Sequence, residues 1–171
     1  MHCVLGILLT CFALAAPAQA REALSGWVPY VNERFGFNFR YPVGVFEPER
    51  RAEAGYGEVF TDVSGQARLL VGAFENADGH SVQSYMNYVR SESYSGYDID
   101  YAPRGQTWFV LSGENDQNVF YEKVMFSCSG RIISSFALIY PIARKAIFDL
   151  VVEGIEKTFK PAQNCGQYAR P

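Results

Sequence analysis

Few side chains in this chain have the reactivity that catalysis or cross-linking requires. Beyond the first twenty residues the only cysteines are Cys128 and Cys165. An even number of cysteines in an exported protein predicts a disulfide, which would tether the tail 161–171 to the preceding domain. Two free thiols are the alternative, because the sequence does not show whether the two Cα atoms lie close enough to be bridged. No CxxC pair of the redox or zinc type is present.

Nucleophilic catalysis by serine or cysteine usually needs a neighbouring histidine base. Beyond residue 20 the sequence offers only His80, in the stretch Asp78-Gly79-His80-Ser81. A loop followed by the start of a helix explains each of these residues without chemistry, and no GxSxG nucleophile elbow is present. We therefore assign no catalytic residue.

Four carboxylates offer a second kind of chemistry. Asp98 and Asp100 share one face if 97–102 is a strand, and Glu114 and Asp116 lie near a turn. A carboxylate-based hydrolase would need two or more of them at reacting distance in one cleft. Calcium would need six to eight oxygen ligands, at a spacing that this sequence does not show. The sequence predicts no metal site and no cofactor, and the hydrolase stays an alternative.

Aromatic residues offer a binding chemistry. Tyr94, Tyr97 and Tyr101, together with Trp108, could line a groove for a sugar or a peptide, because their rings combine an apolar body with a hydrogen-bonding tip. Packing of alternate members in the core is the alternative. Arg144 and Lys145 lie at the start of the last predicted helix, where positive charge is unfavourable because it opposes the helix dipole. They could instead cap a strand end or form a contact surface, or simply face solvent. These six residues are our candidate contact surface.

The first twenty residues indicate the compartment. The apolar run 4–16 is shorter than the about 20 residues that span a bilayer, and it ends at the small-x-small signature Ala18-Gln19-Ala20. This pattern predicts a signal peptide over 1–20, a periplasmic or secreted protein, and no integral membrane segment afterwards. Acylation on Cys11 is the alternative, but Thr10 before it and the apolar residues after it fit poorly.

The remaining 151 of the 171 residues are enough for one domain, which we place at 21–160. Lys plus Arg total 15 against 18 for Asp plus Glu, which excludes the basic footprint of a nucleic-acid-binding protein. Alternating apolar residues predict strands over 30–31, 35–41, 58–63, 67–74, 97–102, 107–112, 119–127 and 131–140, with a connection over 47–57. The alternation in 119–127 leaves Glu122 on an apolar face, so we expect it near an edge or rim.

Two helices complete the pattern. Ser81 is a suitable N-cap for the spacing of Val82, Tyr85, Met86 and Val89, and a second helix follows around 148–159. Strands that pair locally, interrupted by one helix and closed by another, predict an α+β fold in which a central antiparallel sheet is flanked by two main helices.

The residues Tyr30-Val31-Asn32-Glu33-Arg34-Phe35-Gly36-Phe37, then Tyr41-Pro42, and near the end Tyr140-Pro141 and Phe148-Asp149, resemble the PsbP-like superfamily, which includes PsbP, the Mog proteins and DcrB. The resemblance implies an antiparallel sheet flanked by helices, an exported bacterial protein, and a binding or accessory role. It supplies no catalytic set that could be transferred position by position.

We therefore predict a non-enzymatic exported accessory or binding protein. It would use one sheet face, or the loop 91–96, to contact an envelope protein or a small ligand. The alternatives are the carboxylate-based hydrolase and a small-ligand carrier of the cell envelope. A carrier predicts a concave apolar pocket of a few hundred Å³, with tyrosines at its mouth.

Overall fold

A computed structural model describes residues 24, 26–51 and 56–166 of the chain. The predicted signal peptide 1–20 and the end of the predicted tail lie outside the described residues. The strands are β1 (Trp27–Val31), β2 (Asn38–Pro42), β3 (Phe46–Arg51), β4 (Gly57–Asp62), β5 (Arg68–Glu75), β6 (Asp98–Tyr101), β7 (Trp108–Glu114), β8 (Asn118–Ser127) and β9 (Ile132–Pro141), and the helices are α1 (Val82–Glu92) and α2 (Lys145–Thr158).

Seven of these strands form one antiparallel sheet in the order β3-β4-β5-β9-β8-β7-β6, and β1 pairs with β2 in a separate hairpin. The late strand β9 lies between β5 and β8, so it joins the strands that precede α1 to those that follow it. Among the described residues, no helix combines the length and hydropathy that crossing a bilayer requires. The α+β class, with a large antiparallel sheet and two helices, is confirmed.

Alternation along the central strands sends neighbouring residues into two separate cores. Phe120 and Ile133 pack with Met86 and Val89 of α1, and we call this side of the sheet the α1 face. Val119, Ile132 and Phe136 belong to the other core. The β1–β2 hairpin and α2 help to build this core with large apolar side chains: Phe37, Phe39, Phe148, Val151 and Ile155.

One predicted connection is wrong. Residues 47–57 were expected to be a glycine-rich and charged connection, but β3 occupies 46–51 and pairs with β4. The charged residues of β3 do not show the apolar alternation of a central strand, because β3 lies at the edge of the sheet, where polar residues are tolerated. The register shifts between Pro48 and Arg50, and an edge position or a bulge is where a strand accommodates proline.

The disulfide between Cys128 and Cys165 is confirmed, with their Cα atoms 5.4 Å apart. The tail has other attachments that the sequence did not indicate. The amides of Gln163 and Asn164 both donate to the carbonyl of Phe35, at 3.0 Å each. The disulfide and these hydrogen bonds together fix the tail between the β8–β9 turn and the turn before β2.

A buried carboxylate links the β4–β5 turn to the start of α2. Asp62, whose side chain is fully buried, accepts hydrogen bonds from Ser64 Oγ at 2.6 Å, from the amide of Ala67 at 2.7 Å, and from Arg144. Burial is the largest influence and acts to raise the pKa of Asp62, but these hydrogen bonds outweigh it and lower the pKa to about 2. Arg144 therefore caps the end of β4.

Replacing both cysteines, as Cys128→Ala with Cys165→Ala, is expected to lower the free energy of unfolding by about 4 kcal/mol, because the unfolded chain regains the freedom of the closed loop. Urea denaturation of the oxidised protein and of the variant measures the difference. Reductant should weaken the parent protein by a similar amount and leave the variant unchanged. A loss below about 1 kcal/mol would show that the tail hydrogen bonds suffice.

Replacing Arg144 by glutamine is expected to lower stability by about 2 kcal/mol, because Asp62 would lose a charged hydrogen-bond donor while remaining buried. Lys145→Gln is the matched control. Lys145 forms an exposed pair with Asp149 one turn along α2, so its loss should cost less than about 0.5 kcal/mol. Equal losses in the two urea titrations would contradict the structural role of Arg144.

Candidate functional site

A groove of about 540 Å³ lies on the α1 face, over strands β4, β5, β9 and β8. Two rows of directly opposed residues cross these strands beneath it. One row runs Val59, Leu70, Ala137, Glu122, and the next runs Gly57, Gly72, Ser135, Val124. The loop after α1 contributes Ser93 and Tyr94 as a wall. We call this site the α1-face groove.

Small residues on neighbouring strands create the depression. Gly72, Ser135 and Ala137 carry little or no side chain, whereas Leu70 and Phe74 beside them rise from the sheet. A Cβ added at Gly72 would find only the Tyr56 carbonyl within 4 Å, at 3.4 Å. The space above Gly72 is therefore open, and a larger side chain there would enter the groove.

One corner of the groove is polar. The Tyr94 ring stacks on Phe120, with ring centroids 3.6 Å apart, and its hydroxyl donates to Glu122 Oε2 at 2.8 Å. Ser135 also hydrogen-bonds to the Glu122 carboxylate. Glu122 is only 8% exposed. Three polar side chains from β8, β9 and the loop after α1 therefore meet at the edge of an apolar floor.

Burial controls the protonation of this corner. It is the largest effect on Glu122 and raises the pKa of its carboxyl to about 7, while the hydrogen bonds from Tyr94 and Ser135 limit the rise. Burial, followed by the charge of Glu122, raises the pKa of Tyr94 far above its ordinary value. The Tyr94 hydroxyl thus stays protonated as a donor, and Glu122 exchanges its proton near neutral pH.

Glu58 of β4 also borders the groove. Strands β4 and β8 are separated by β5 and β9, which places their backbones about 14 Å apart. Glu58 is also opposed to Val71, which belongs to the opposite core, so its side chain leaves the sheet on the other face from Glu122. The two therefore do not form a carboxylate pair at the roughly 5–10 Å that glycosidases use. The groove therefore offers one protonatable carboxyl beside an apolar floor, which is suited to hydrogen-bonding a bound molecule.

The structure divides the four predicted aromatic contact residues between the two sheet faces. Tyr94 and Tyr97 pack against Phe120 on the α1 face, where Tyr94 is buried and Tyr97 is half-buried. Trp108 pairs with Met125, which packs against the opposite core, and the exposed Tyr101 pairs with Ser112 of the same strand β7. The four rings do not form one groove, and of the four Tyr94 alone lines the α1-face groove.

The predicted basic contact residues lie elsewhere. Arg144 contacts Asp62 and lies over the Phe148 ring, 4.7 Å from its centroid. Lys145 is exposed and pairs with Asp149 at 3.0 Å. Neither residue lines the α1-face groove.

The predicted carboxylates lie on the edge strand β6, at the end of β7 and in the turn that follows β7. Asp98 and Glu114 are opposed across β6 and β7, and all four carboxylates are exposed and lie outside the α1-face groove: Asp98, Asp100, Glu114 and Asp116. Within the described residues, no group of three or more His, Cys, Asp or Glu side chains could hold a metal ion. His80 is half-buried in its loop, where its amide donates to Asn76 Oδ1 at 2.8 Å.

Sequence reasoning placed Glu122 at a rim but gave it no role. The rim is that of the groove, because β8 is an interior strand of the sheet. A usable signal was present: Gly72, Ser135 and Ala137 are small residues within otherwise bulky apolar strands. Cross-strand register, which the sequence does not give, brings them together.

With this geometry established, the chain is an α+β protein built on one large antiparallel sheet with a groove on one face. The solution structure of cyanobacterial PsbP (CyanoP) from Synechocystis sp. PCC 6803 is 17% identical, with 91% of this chain and 99% of that chain covered and a TM-score of 0.58. The Saccharomyces cerevisiae Ran-binding protein Mog1p is 10% identical, with 80% and 95% covered and a TM-score of 0.56.

At these identities the likeness shows the fold alone. The chain has a PsbP/Mog-like fold, as its resemblance to the PsbP-like superfamily implied. No protein-family model matches the chain, and no curated protein is significantly similar to it in sequence. The binding role must therefore be argued from this chain's own residues.

Replacing Glu122 by glutamine is expected to flatten the pH dependence of stability. The folded carboxyl holds its proton up to about pH 7, and the unfolded carboxyl loses it near its ordinary value of 4.5. Stability from this group is therefore complete below pH 4.5 and falls by about 3 kcal/mol as the pH rises through 7. Urea titrations from pH 4 to 8 measure it.

The control for this prediction is Glu114→Gln, which removes an exposed carboxylate. That variant should keep the parental slope of stability against pH. If the Glu122 variant kept the same slope as the parent between pH 4.5 and 7, the raised pKa assigned to Glu122 would be wrong.

Proposed function

We propose that this protein is an exported, non-enzymatic binding protein that holds a small, mainly apolar ligand in the α1-face groove. The observation that carries the proposal is the groove itself. Its volume of about 540 Å³ lies within the roughly 300–1,000 Å³ of small-molecule sites, which are typically apolar with a few convergent polar groups. Tyr56 and Tyr94 are among its lining residues, which supports a ligand carrier, for which tyrosines were expected at the mouth of the pocket.

The groove chemistry supports a ligand with one hydrogen-bonding group. The apolar part of the ligand would cover Leu70, Ala137 and Ile139, and a hydroxyl or amine would reach Glu122 or Ser135. This group would replace the hydrogen bonds to water that Glu122 and Ser135 lose when a ligand covers them. An entirely apolar molecule could not replace these hydrogen bonds. The proposed ligand class is therefore a small amphipathic molecule.

The disulfide and the leader sequence support export. Disulfides form and persist in oxidising compartments, and Cys128–Cys165 is bridged. The first twenty residues have the apolar run and the small-x-small ending of a cleaved signal peptide. We therefore propose that the protein acts in the periplasm or outside the cell, and that its two helices flank the sheet as in a PsbP-like sandwich.

A partner protein is the second candidate occupant. Leu70 and Phe74 at the groove margin are 36% and 37% exposed, which is unusual for large apolar side chains in the middle of a sheet. One solved protein of similar fold is named as Ran-binding. A protein segment laid across the groove would also cover the loop 91–96.

Filling the groove with Gly72→Leu is expected to weaken binding of the neutral apolar dye N-phenyl-1-naphthylamine at least tenfold, because the new side chain would occupy the open space above β5. Fluorescence titration of the purified protein measures the dissociation constant. Gly96→Leu is the matched control: a Cβ there also meets open space, but Gly96 does not line the groove.

Equal dye affinity in the parent and in the Gly72 variant would contradict the proposal. Native mass spectrometry of protein taken from its own cell envelope separates the two occupants. A bound mass of small-molecule size that the Gly72 variant loses supports the ligand. If the bound species is instead a protein at a fixed ratio, and the Gly72 variant loses it, the groove binds a partner protein and the small-ligand proposal is wrong.

A further inference from the structure

A second, smaller pocket of about 230 Å³ lies where β5 ends and α1 begins. Four aromatic rings and two carboxylates border it: Phe74, His80, Tyr85, Tyr88, Glu75 and Asp78. Its volume is several times the about 30 Å³ that one water molecule occupies in the liquid. The pocket shares only Phe74 with the described lining of the α1-face groove.

The rings of this pocket are close together and differ in orientation. Tyr85 lies at the centre, with its centroid 5.9 Å from Phe74, 5.4 Å from His80 and 5.9 Å from Tyr88. The Phe74 and His80 rings are each inclined by 56° to Tyr85, whereas Tyr88 is stacked at 24°. His80 and Tyr88 are also in contact, with centroids 5.9 Å apart, so three of the rings form one cluster at the border of the pocket.

The pocket is built before any ligand arrives. The Asn76 side chain donates to the carbonyls of His80 and Gly130, at 2.9 Å each, and so fixes the loop. The side chains of Ser81 and Ser84 cap the first turn of α1 reciprocally. Tyr85 rests against Phe126, which belongs to the core of the α1 face. Little ordering therefore has to accompany binding.

The charge of the pocket favours a cation. Glu75 and Asp78 are exposed carboxylates at its border, and its described lining contains neither lysine nor arginine. The amino end of α1 carries partial positive charge that opposes a cation, and the two carboxylates offset it. A small metal ion is a poor fit, since the described residues hold no ligand cluster for one. Aromatic faces instead attract large, weakly hydrated cations.

We propose that this pocket binds a methylated ammonium group, with Tyr85 and Tyr88 supplying cation–π contacts and Glu75 and Asp78 supplying charge. Rings surrounding a quaternary ammonium are a recurrent recognition device. The group could belong to a free molecule such as choline or to the headgroup of phosphatidylcholine. The site is independent of the α1-face groove and does not rest on the ligand proposed there.

Titration of the purified protein with tetramethylammonium and with choline, at pH 8 and constant ionic strength, tests the site through the NMR signals of the tyrosine rings. Saturable shifts are expected for both cations. The uncharged choline isostere 3,3-dimethylbutan-1-ol should bind at least fivefold more weakly, because it keeps the shape and loses the charge. Equal binding of the isostere would overturn the proposal.

Variants at Tyr88 separate ring chemistry from folding, because this side chain is 51% exposed and its loss should leave the core intact. Tyr88→Leu is expected to lower choline affinity about fivefold or more, and Tyr88→Phe should retain it within about twofold. Replacing Glu75 by Gln and Asp78 by Asn together should weaken binding and reduce its salt dependence. Unchanged affinity in Tyr88→Leu would also overturn the proposal.

Two further arms complete the test. Gly72→Leu, which fills the α1-face groove, should leave choline binding unchanged, so that the two proposals succeed or fail separately. If the parent protein co-sediments with phosphatidylcholine vesicles and Tyr88→Leu does not, the methylated ammonium group belongs to a lipid surface. Choline binding without co-sedimentation assigns it to a free molecule.

Discussion

The pairing of β9 between β5 and β8 is the interaction on which the rest of this structure depends. It joins the strands that precede α1 to those that follow it. Four consecutive residues of β9 serve four different parts of the molecule. Ile133 packs in the α1 core, Ser134 accepts a hydrogen bond from the tail amide of Ala162 at 3.0 Å, Ser135 faces the groove, and Phe136 contacts Phe159 after α2. A register slip of one residue would exchange all of these assignments, because alternate residues face opposite sides of a sheet.

The polar corner of the groove lowers the stability of the fold, so its residues are not there to stabilise it. Burying Glu122 beside Phe120 and Val124 is less favourable than placing an apolar residue there, even with hydrogen bonds from Tyr94 and Ser135. Stability would also favour larger side chains at Gly72 and Ala137, because filling the depression would bury more apolar surface. Departures of this kind from the most stable choice are typical of binding sites.

Periodicity predicted the long strands β8 and β9, whose alternate residues enter the two cores, and both helices, each of which buries one side in a core. It failed where backbone irregularity or partner strands decide the outcome. In a regular strand Tyr97, Ile99 and Tyr101 share a face, and so do Asp98 and Asp100. The register shift between Ile99 and Tyr101 breaks this alternation, because a bulge inserts one extra residue. Glu122 was visible as a polar residue in an apolar strand, but its burial depends on neighbours that only the register of β8 and β9 supplies.

Similarity to CyanoP and Mog1p extends over most of the chain at 17% and 10% identity, which is enough to define the fold and too little to transfer an activity. Any difference in what such proteins bind must then lie in residues that the fold does not require. In this chain three features depart from what the fold requires: small side chains where a sheet would accept large ones, a buried carboxyl whose pKa is raised to about 7, and aromatic rings exposed at the start of a helix. All lie on or beside the α1 face, whereas the opposite core is filled by large apolar side chains from the hairpin and α2. The α1 face carries its own core beneath α1, and the groove lies beside that core, which is why we propose the α1 face as the site of recognition.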